Sequence, residues 1–149
     1  MRMKWVSREK AKVDRIACPW LIKRFVDPNA EFLFVPSDKV MEVAKEQRAT
    51  PFDVPDVELG HHRDEVSFDA FIEKYKLGND PVLVELAKIV RGADSHRLDL
   101  TPQSAGLDAI AEGFRQITKD DFDNMSKQFS LYDALYAYCK WKLAEQRKM

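Results

Sequence analysis

The sequence predicts an α+β fold, predominantly helical, with one domain over 1–149 and a small sheet drawn from its N-terminal third. Three observations carry that reading. The strand-like runs, short and rich in aromatic and branched residues, fall before residue 60, and the chain beyond His62 reads as successive capped helices. A length of 149 residues with 45% hydrophobic and 33% charged residues suits a single globular core.

The elements follow in order. Residues 4–7 form a short strand candidate. Pro19 suits the first position of a helix over 19–26, which places Cys18 at or near the N-cap. That helix stops at Asp27-Pro28, because a residue before proline disfavours the α region. Trp20, Leu21 and Phe25 recur at helical spacing toward the core, with Lys23 and Arg24 nearer solvent. Residues 31–35 make the clearest strand, ended by Pro36. Ser37 caps a helix over 38–47, with Val40, Val43 and Ala44 inward. The stretch 50–65 is irregular or weakly stranded and ends in Gly60-His61-His62.

Ser67 then caps a helix over 67–76, closed by Gly78. Asp80-Pro81 opens another to residue 91, with Gly92 beyond its end. Thr101-Pro102 opens a third, over 103–116. Capping boxes at 118–121 and 130–133 predict a short helix and a separate last helix reaching residue 145. Tyr132, Leu135, Tyr136, Cys139 and Leu143 give that last helix an apolar stripe.

Composition narrows the function. The 24 basic and 25 acidic residues are interspersed and leave a formal charge of −1, which argues against broad nucleic-acid binding by this domain alone. No apolar run approaches the ~20 residues of a membrane span. The charged start lacks the apolar segment of a secretion signal. Two distant cysteines make no disulfide framework, so a reducing cytoplasm is expected. Without a Gly-rich phosphate loop, no nucleotide cofactor is expected.

The chemistry-bearing residues concentrate at the first helix start. Unpaired N–H groups and the helix dipole favour an anion there. A thiolate at Cys18 would be stabilised by the same field, and Arg15 offers a forked donor to an oxyanion or carboxylate. Cys18 and Arg15 are therefore the candidate catalytic residues, and Arg15, Trp20 and Arg24 the candidate substrate-binding ones. The alternative stands beside it: Cys18 a small buried residue, Arg15 paired with Asp14, and Trp20 part of the core. His61, His62 and His96 all lie outside the predicted helices, and His61 follows the apolar Val57-Glu58-Leu59 piece. Imidazole with carboxylates suits iron, manganese or zinc, and Glu58, Asp14 and Asp94 are the candidate partners of His61. Their spacing matches no diagnostic metal motif. Asp14 and Asp94 are read as lying outside helices. Asp121 and Asp133 are read as helix caps, with a place in the site as the alternative.

The run Asp14 to Pro28, Asp-Arg-Ile-Ala-Cys-Pro-Trp-Leu-Ile-Lys-Arg-Phe-Val-Asp-Pro, resembles the C-terminal domain of the chromate-resistance protein B family. The likeness continues through Pro51-Phe52-Asp53-Val54-Pro55, Val57-Glu58-Leu59-Gly60-His61 and Ser67-Phe68-Asp69. It goes on through Ile89-Val90-Arg91-Gly92-Ala93-Asp94, Ala105-Gly106-Leu107, Asp120-Asp121 and Tyr132-Asp133-Ala134-Leu135-Tyr136, nearly the whole chain. His61 and Asp94 fall on motif positions, whereas His62 and His96 do not. Many relatives carry cysteine where this chain has Val66, which leaves Cys18 as the one candidate reactive thiol. The resemblance implies a link to chromate resistance and, for full-length relatives with an additional N-terminal region, to control of the chromate response. Two functions are expected from it. One is a metal- or thiol-assisted protein that binds and reduces a small oxyanion such as chromate, with one transition metal on His61, Asp94, Asp14 and Glu58. The other is a non-catalytic oxyanion-sensing module. A small oxyanion is the expected partner, with a homodimer as a further expectation.

Overall fold

In the computed structural model, which describes residues 3–148, the first fifty residues build a parallel sheet. Strand β1 (Lys4–Arg8) lies between β2 (Glu31–Val35) and β3 (Thr50–Pro51). Trp5 pairs with Phe32 on one side and Thr50 on the other, and Val6 with Leu33 and Pro51. Pro51 gives the ladder no N–H, a lack that an edge strand tolerates. Side chains alternate across this sheet. Trp5 and Phe32 join the main core, whereas Val6, Leu33 and Val35 pack with Val40, Val43 and Ala44 in a second, smaller one. The two crossover helices therefore cover opposite faces: α1 (Asp14–Phe25) the first, α2 (Val40–Gln47) the second. A short 3-10 turn, Ser37–Lys39, leads into α2.

Strand order β2-β1-β3 means that the chain steps one way from β1 and then crosses back over it. The reversal falls between β1 and β3. Beyond their carboxyl ends such a sheet leaves a crevice, and ligands bind there in open parallel sheets.

Four more helices complete the fold: α3 (Ser67–Lys74), α4 (Pro81–Asp94), α5 (Ser104–Ile117) and α6 (Asp121–Arg147). Asp80 caps α4 by accepting the N–H groups of Val82 and Leu83. Gly92 permits α4 to meet α5, because a Cβ there would sit 2.8 Å from Ser104 Cβ and 3.0 Å from the Arg97 carbonyl. The described residues hold six α-helices beside the small sheet, and the α+β, predominantly helical class is the one the sequence predicts.

Four local expectations are corrected. Helix α1 begins at Asp14, not Pro19, and Pro19 lies inside it. An internal proline costs about 3 kcal/mol, and six fully buried side chains of this helix (Ile16, Ala17, Cys18, Trp20, Leu21 and Ile22) outweigh that. Cys18 is thus in the second turn rather than at a cap. Asp14 and Asp94 are not outside helices: they are the first residue of α1 and the last of α4. The final two predicted helices are one continuous 27-residue helix, so Asp133 is mid-helix and caps nothing. No Gly or Pro interrupts residues 121–147, and the 130–133 motif alone does not stop a helix. Asp120, rather than Asp121, caps it by accepting the N–H of Asp123 at 2.8 Å.

Candidate metal centre

The carboxyl ends of β1 and β3 aim two segments at one point. After β3 the chain turns sharply at Asp53, whose φ of 54° is a left-handed conformation that aspartate tolerates. Its N–H donates to the Leu59 carbonyl at 2.9 Å, which closes the loop 53–59 on itself. Gly60 is needed where that loop folds back, since a Cβ there would lie 2.7 Å from the Val54 carbonyl oxygen. His61 follows immediately. From the other strand, the loop after β1 delivers Asp14 at the start of α1. Asp94 arrives from the end of α4.

These four side chains converge. His61 Nε2 lies 3.0 Å from Asp53 Oδ1, 3.0 Å from Asp94 Oδ2 and 3.4 Å from Asp14 Oδ2. One ligand atom from each of the four falls within 4.8 Å of the others. Surrounding donors hold the carboxylates. The N–H groups of Ser67 and Phe68, at the start of α3, donate to the two Asp14 oxygens at 2.7 and 3.0 Å, as helix N-termini do for anions. Ser67 Oγ donates to Asp53 Oδ1 at 2.9 Å, and the Asp14 N–H to Asp94 Oδ1 at 3.2 Å.

Burial is graded. Asp14 and Asp53 are buried, Asp94 is half-buried, and the His61 side chain is 46% exposed, so the cluster opens on the imidazole side. Desolvation, then the Asp94 and Asp53 charges, push the Asp14 carboxyl up. Hydrogen bonds to Asp14, Asp53 and Asp94 push His61 strongly up. Burial also works upward on Asp53, but the His61 hydrogen bond and the Arg15 charge outweigh it and hold that carboxyl below its usual value. The Asp14 carboxyl and the His61 imidazole are thus pushed toward keeping their protons, whereas Asp53 is pushed toward giving its proton up.

The sequence pattern of the family described as ChrB, C-terminal domain, matches residues 5–139. The chain belongs to this family. Protein ChrB of Cupriavidus metallidurans is 31% identical over 138 residues, 90% of this chain and 40% of that protein. The chain therefore spans less than half the length of that relative. No solved structure matches. Membership implies an association with chromate resistance.

In this ChrB-type domain the predicted residues divide into three places. Asp14, His61 and Asp94 are together. Glu58 is not with them: its side chain is 72% exposed and meets Lys74 Nζ at 3.3 Å. Asp53, which sequence reasoning did not single out, stands in the cluster instead. Its one signal was the Pro51-Phe52-Asp53-Val54-Pro55 motif, a proline-flanked acid that reads locally as a turn. His62 contacts the Glu58 carbonyl at 2.7 Å, outside the cluster.

Cys18 lies beneath the centre, fully buried, with its thiol 3.5 Å from Asp14 Oδ1. Burial and the neighbouring Asp14 push that thiol well above the usual cysteine range, the reverse of the stabilised thiolate expected at a helix start. Arg15 reaches the carbonyls of Arg8, Glu9 and Lys10 and lies 3.6 Å from Asp53 Oδ2, so most of its fork is engaged by the protein itself. Trp20 and Arg24 are elsewhere, both bound to Asp133 on α6.

Around the cluster lies a cavity of about 410 Å³ with a mixed lining. The three acids of the cluster and His61 line one part, and Arg8, Lys12, Arg15 and Arg115 line another together with Asp108 and His96. Arg8 closes the seam between β1 and β3 by donating from Nε and Nη2 to the Asp53 carbonyl at 3.2 and 3.0 Å, and its side chain is 40% exposed.

Proposed function

We propose that the chain binds one divalent transition metal ion through Asp14, Asp53, His61 and Asp94, and that the metal and its basic surround bind a small oxyanion of the chromate type. The observation that carries this is the convergence of His61 Nε2 and three carboxylate oxygens. Separations of 3.0–3.4 Å are those of neighbouring ligands around an ion with bonds of about 2.0–2.2 Å. A one-imidazole, three-carboxylate set suits iron, manganese or zinc over softer-ligand metals. Association of the family with chromate resistance supports the choice of oxyanion.

Charge explains the mixed cavity. A divalent ion leaves three carboxylates and a neutral imidazole one negative charge in excess, which alone would repel an oxyanion. On the same cavity Lys12 is paired with Asp108 at 2.8 Å and Arg115 with Glu112 at 3.1 Å, so of these three cations Arg8 is left to offset that excess. Among them Arg8, at the seam beside Asp53, is best placed to meet the ligand. Arg15 acts mainly on the loop that carries it. Cys18, buried and held protonated, has no electron-transfer role in this reading.

Elemental analysis of protein purified without a histidine tag tests it. We expect near one equivalent of iron, manganese or zinc in the wild type and little in Asp53→Asn or His61→Ala. No metal in the wild type, even after incubation with each ion, would overturn the proposal. The same site serves catalysis or sensing, and the fate of chromate separates them. Chromate consumed by metal-loaded protein with a supplied reductant marks an enzyme, whereas chromate bound and recovered unchanged marks a sensor.

A further inference from the structure

We infer that the N-terminal half of α6 is the template that sets the geometry of this centre, with Asp121, Asn124, Gln128 and Tyr132 as positioning residues. The inference rests on the metal reading above. These four residues recur at intervals of three and four and so share one helix face. They meet the loop before α1 in order. Asp121 accepts the N–H groups of Lys10 and Ala11 at 2.9 and 2.7 Å. Asn124 Nδ2 donates to the Ala11 carbonyl at 3.0 Å, and Gln128 Nε2 to that of Lys12 at 3.5 Å. Tyr132 donates its hydroxyl to the Val13 carbonyl at 3.3 Å.

Asn124, Gln128 and Tyr132 are all but fully buried. An apolar stripe would fill that space without the desolvation of two amides and a phenol. What the polar stripe does instead is satisfy consecutive backbone groups of a segment with no regular structure of its own. Gln128 also donates to Asn124 Oδ1 at 2.7 Å, which ties the stripe together. From the other side Arg15 takes the carbonyls of residues 8–10. The loop is thus held residue by residue from Arg8 to Val13. The next residue is Asp14, whose N–H fixes Asp94. A loop held this way sets where two of the three ligand carboxylates sit, from side chains that touch no ligand atom.

The test compares Asp121→Ala, which removes both acceptors, with Asp121→Asn, which retains one, and with Tyr132→Phe. Co(II) is titrated into each metal-free protein and followed by its visible absorption. We expect Asp121→Ala to weaken Co(II) binding by about tenfold to a hundredfold, the range of outer-shell changes at metal sites, and to alter the absorption bands. Asp121→Asn should recover much of the affinity, and Tyr132→Phe should weaken it a few-fold. A folded Asp121→Ala with wild-type affinity and bands would overturn the inference. If Asp121→Ala does not fold, an unchanged Tyr132→Phe overturns it. A wild type that takes up no Co(II) refutes the metal reading, and the positioning role is then judged without metal. In that case the His61 ring signal in NMR should shift in the variants while that of His62 stays in place, and an unmoved His61 signal overturns the inference.

Discussion

Asp53 shows why the site was only partly legible. Asp14, His61 and Asp94 lie on recognisable family words, but their meeting needs a fourth group that the local pattern disguised. Glu58 was the natural guess because it precedes His61 by three residues. The loop closure from Asp53 to Leu59 turns Glu58 outward and Asp53 inward. The two substitutions therefore separate cleanly. Asp53→Asn retains the side chain's size but removes a charge beside His61. Its metal affinity should fall by at least about tenfold, since even outer-shell changes cost that much. Glu58→Ala should bind metal as the wild type does, and calorimetric titration of both checks the pair. Gly92 is a second single-residue test. A methyl group there collides with Ser104 on α5, so Gly92→Ala should destabilise by about 1–3 kcal/mol, the usual penalty of overpacking. Urea unfolding would read that loss.

Among the elements, α1 is pinned from both sides, and only one side was visible in the sequence. Its spacing marks Trp20 and Phe25 as core, yet nothing local shows that Trp20 Nε1 donates to Asp133 at 2.7 Å or that Arg24 grips the same carboxylate at 3.0 Å through two nitrogens. Asp133 looked like a cap because its surroundings, Ser130 to Asp133, imitate one. Capping motifs report a local preference, and the packing of a 27-residue helix overrides it. The polar stripe of α6 escaped for a similar reason: Asp121 imitates a cap, and nothing local to Asn124 and Gln128 shows the loop that lies against them. Asp133→Ala would leave a buried indole N–H unpaired, at a cost of about 1–3 kcal/mol. The Arg24 hydrogen bond holds the Asp133 carboxyl below its usual value. A lowered folded-state value stabilises above the unfolded pKa of about 4 and is lost as pH falls through it. The stability difference between wild type and Asp133→Asn should therefore be full at neutral pH and narrow below about pH 4. The exposed Arg24 keeps that difference modest.

At the scale of the whole molecule, the centre is a product of topology. A two-residue strand, β3, brings Asp53 beside the end of β1, and no periodicity could announce so short an element. The four residues of the cluster come from three segments spread over positions 14–94: the start of α1, the loop after β3 that carries both Asp53 and His61, and the end of α4. An unfolded chain cannot assemble them, so an ion bound there binds the native state alone and stabilises it by mass action. At a free concentration one hundred times the dissociation constant this amounts to about 2.7 kcal/mol. For a chain of this size that corresponds to a rise in thermal midpoint of roughly 5–11 °C. His61→Ala should abolish the rise. Its midpoint in chelator should also lie below that of the wild type in chelator, because Asp14, Asp53 and Asp94 would face one another without the imidazole that now bridges them. Thermal melts of both proteins, with metal and with chelator, measure the two effects together. A metal-dependent rise that survives in His61→Ala would place the ion somewhere other than the seam between β1 and β3.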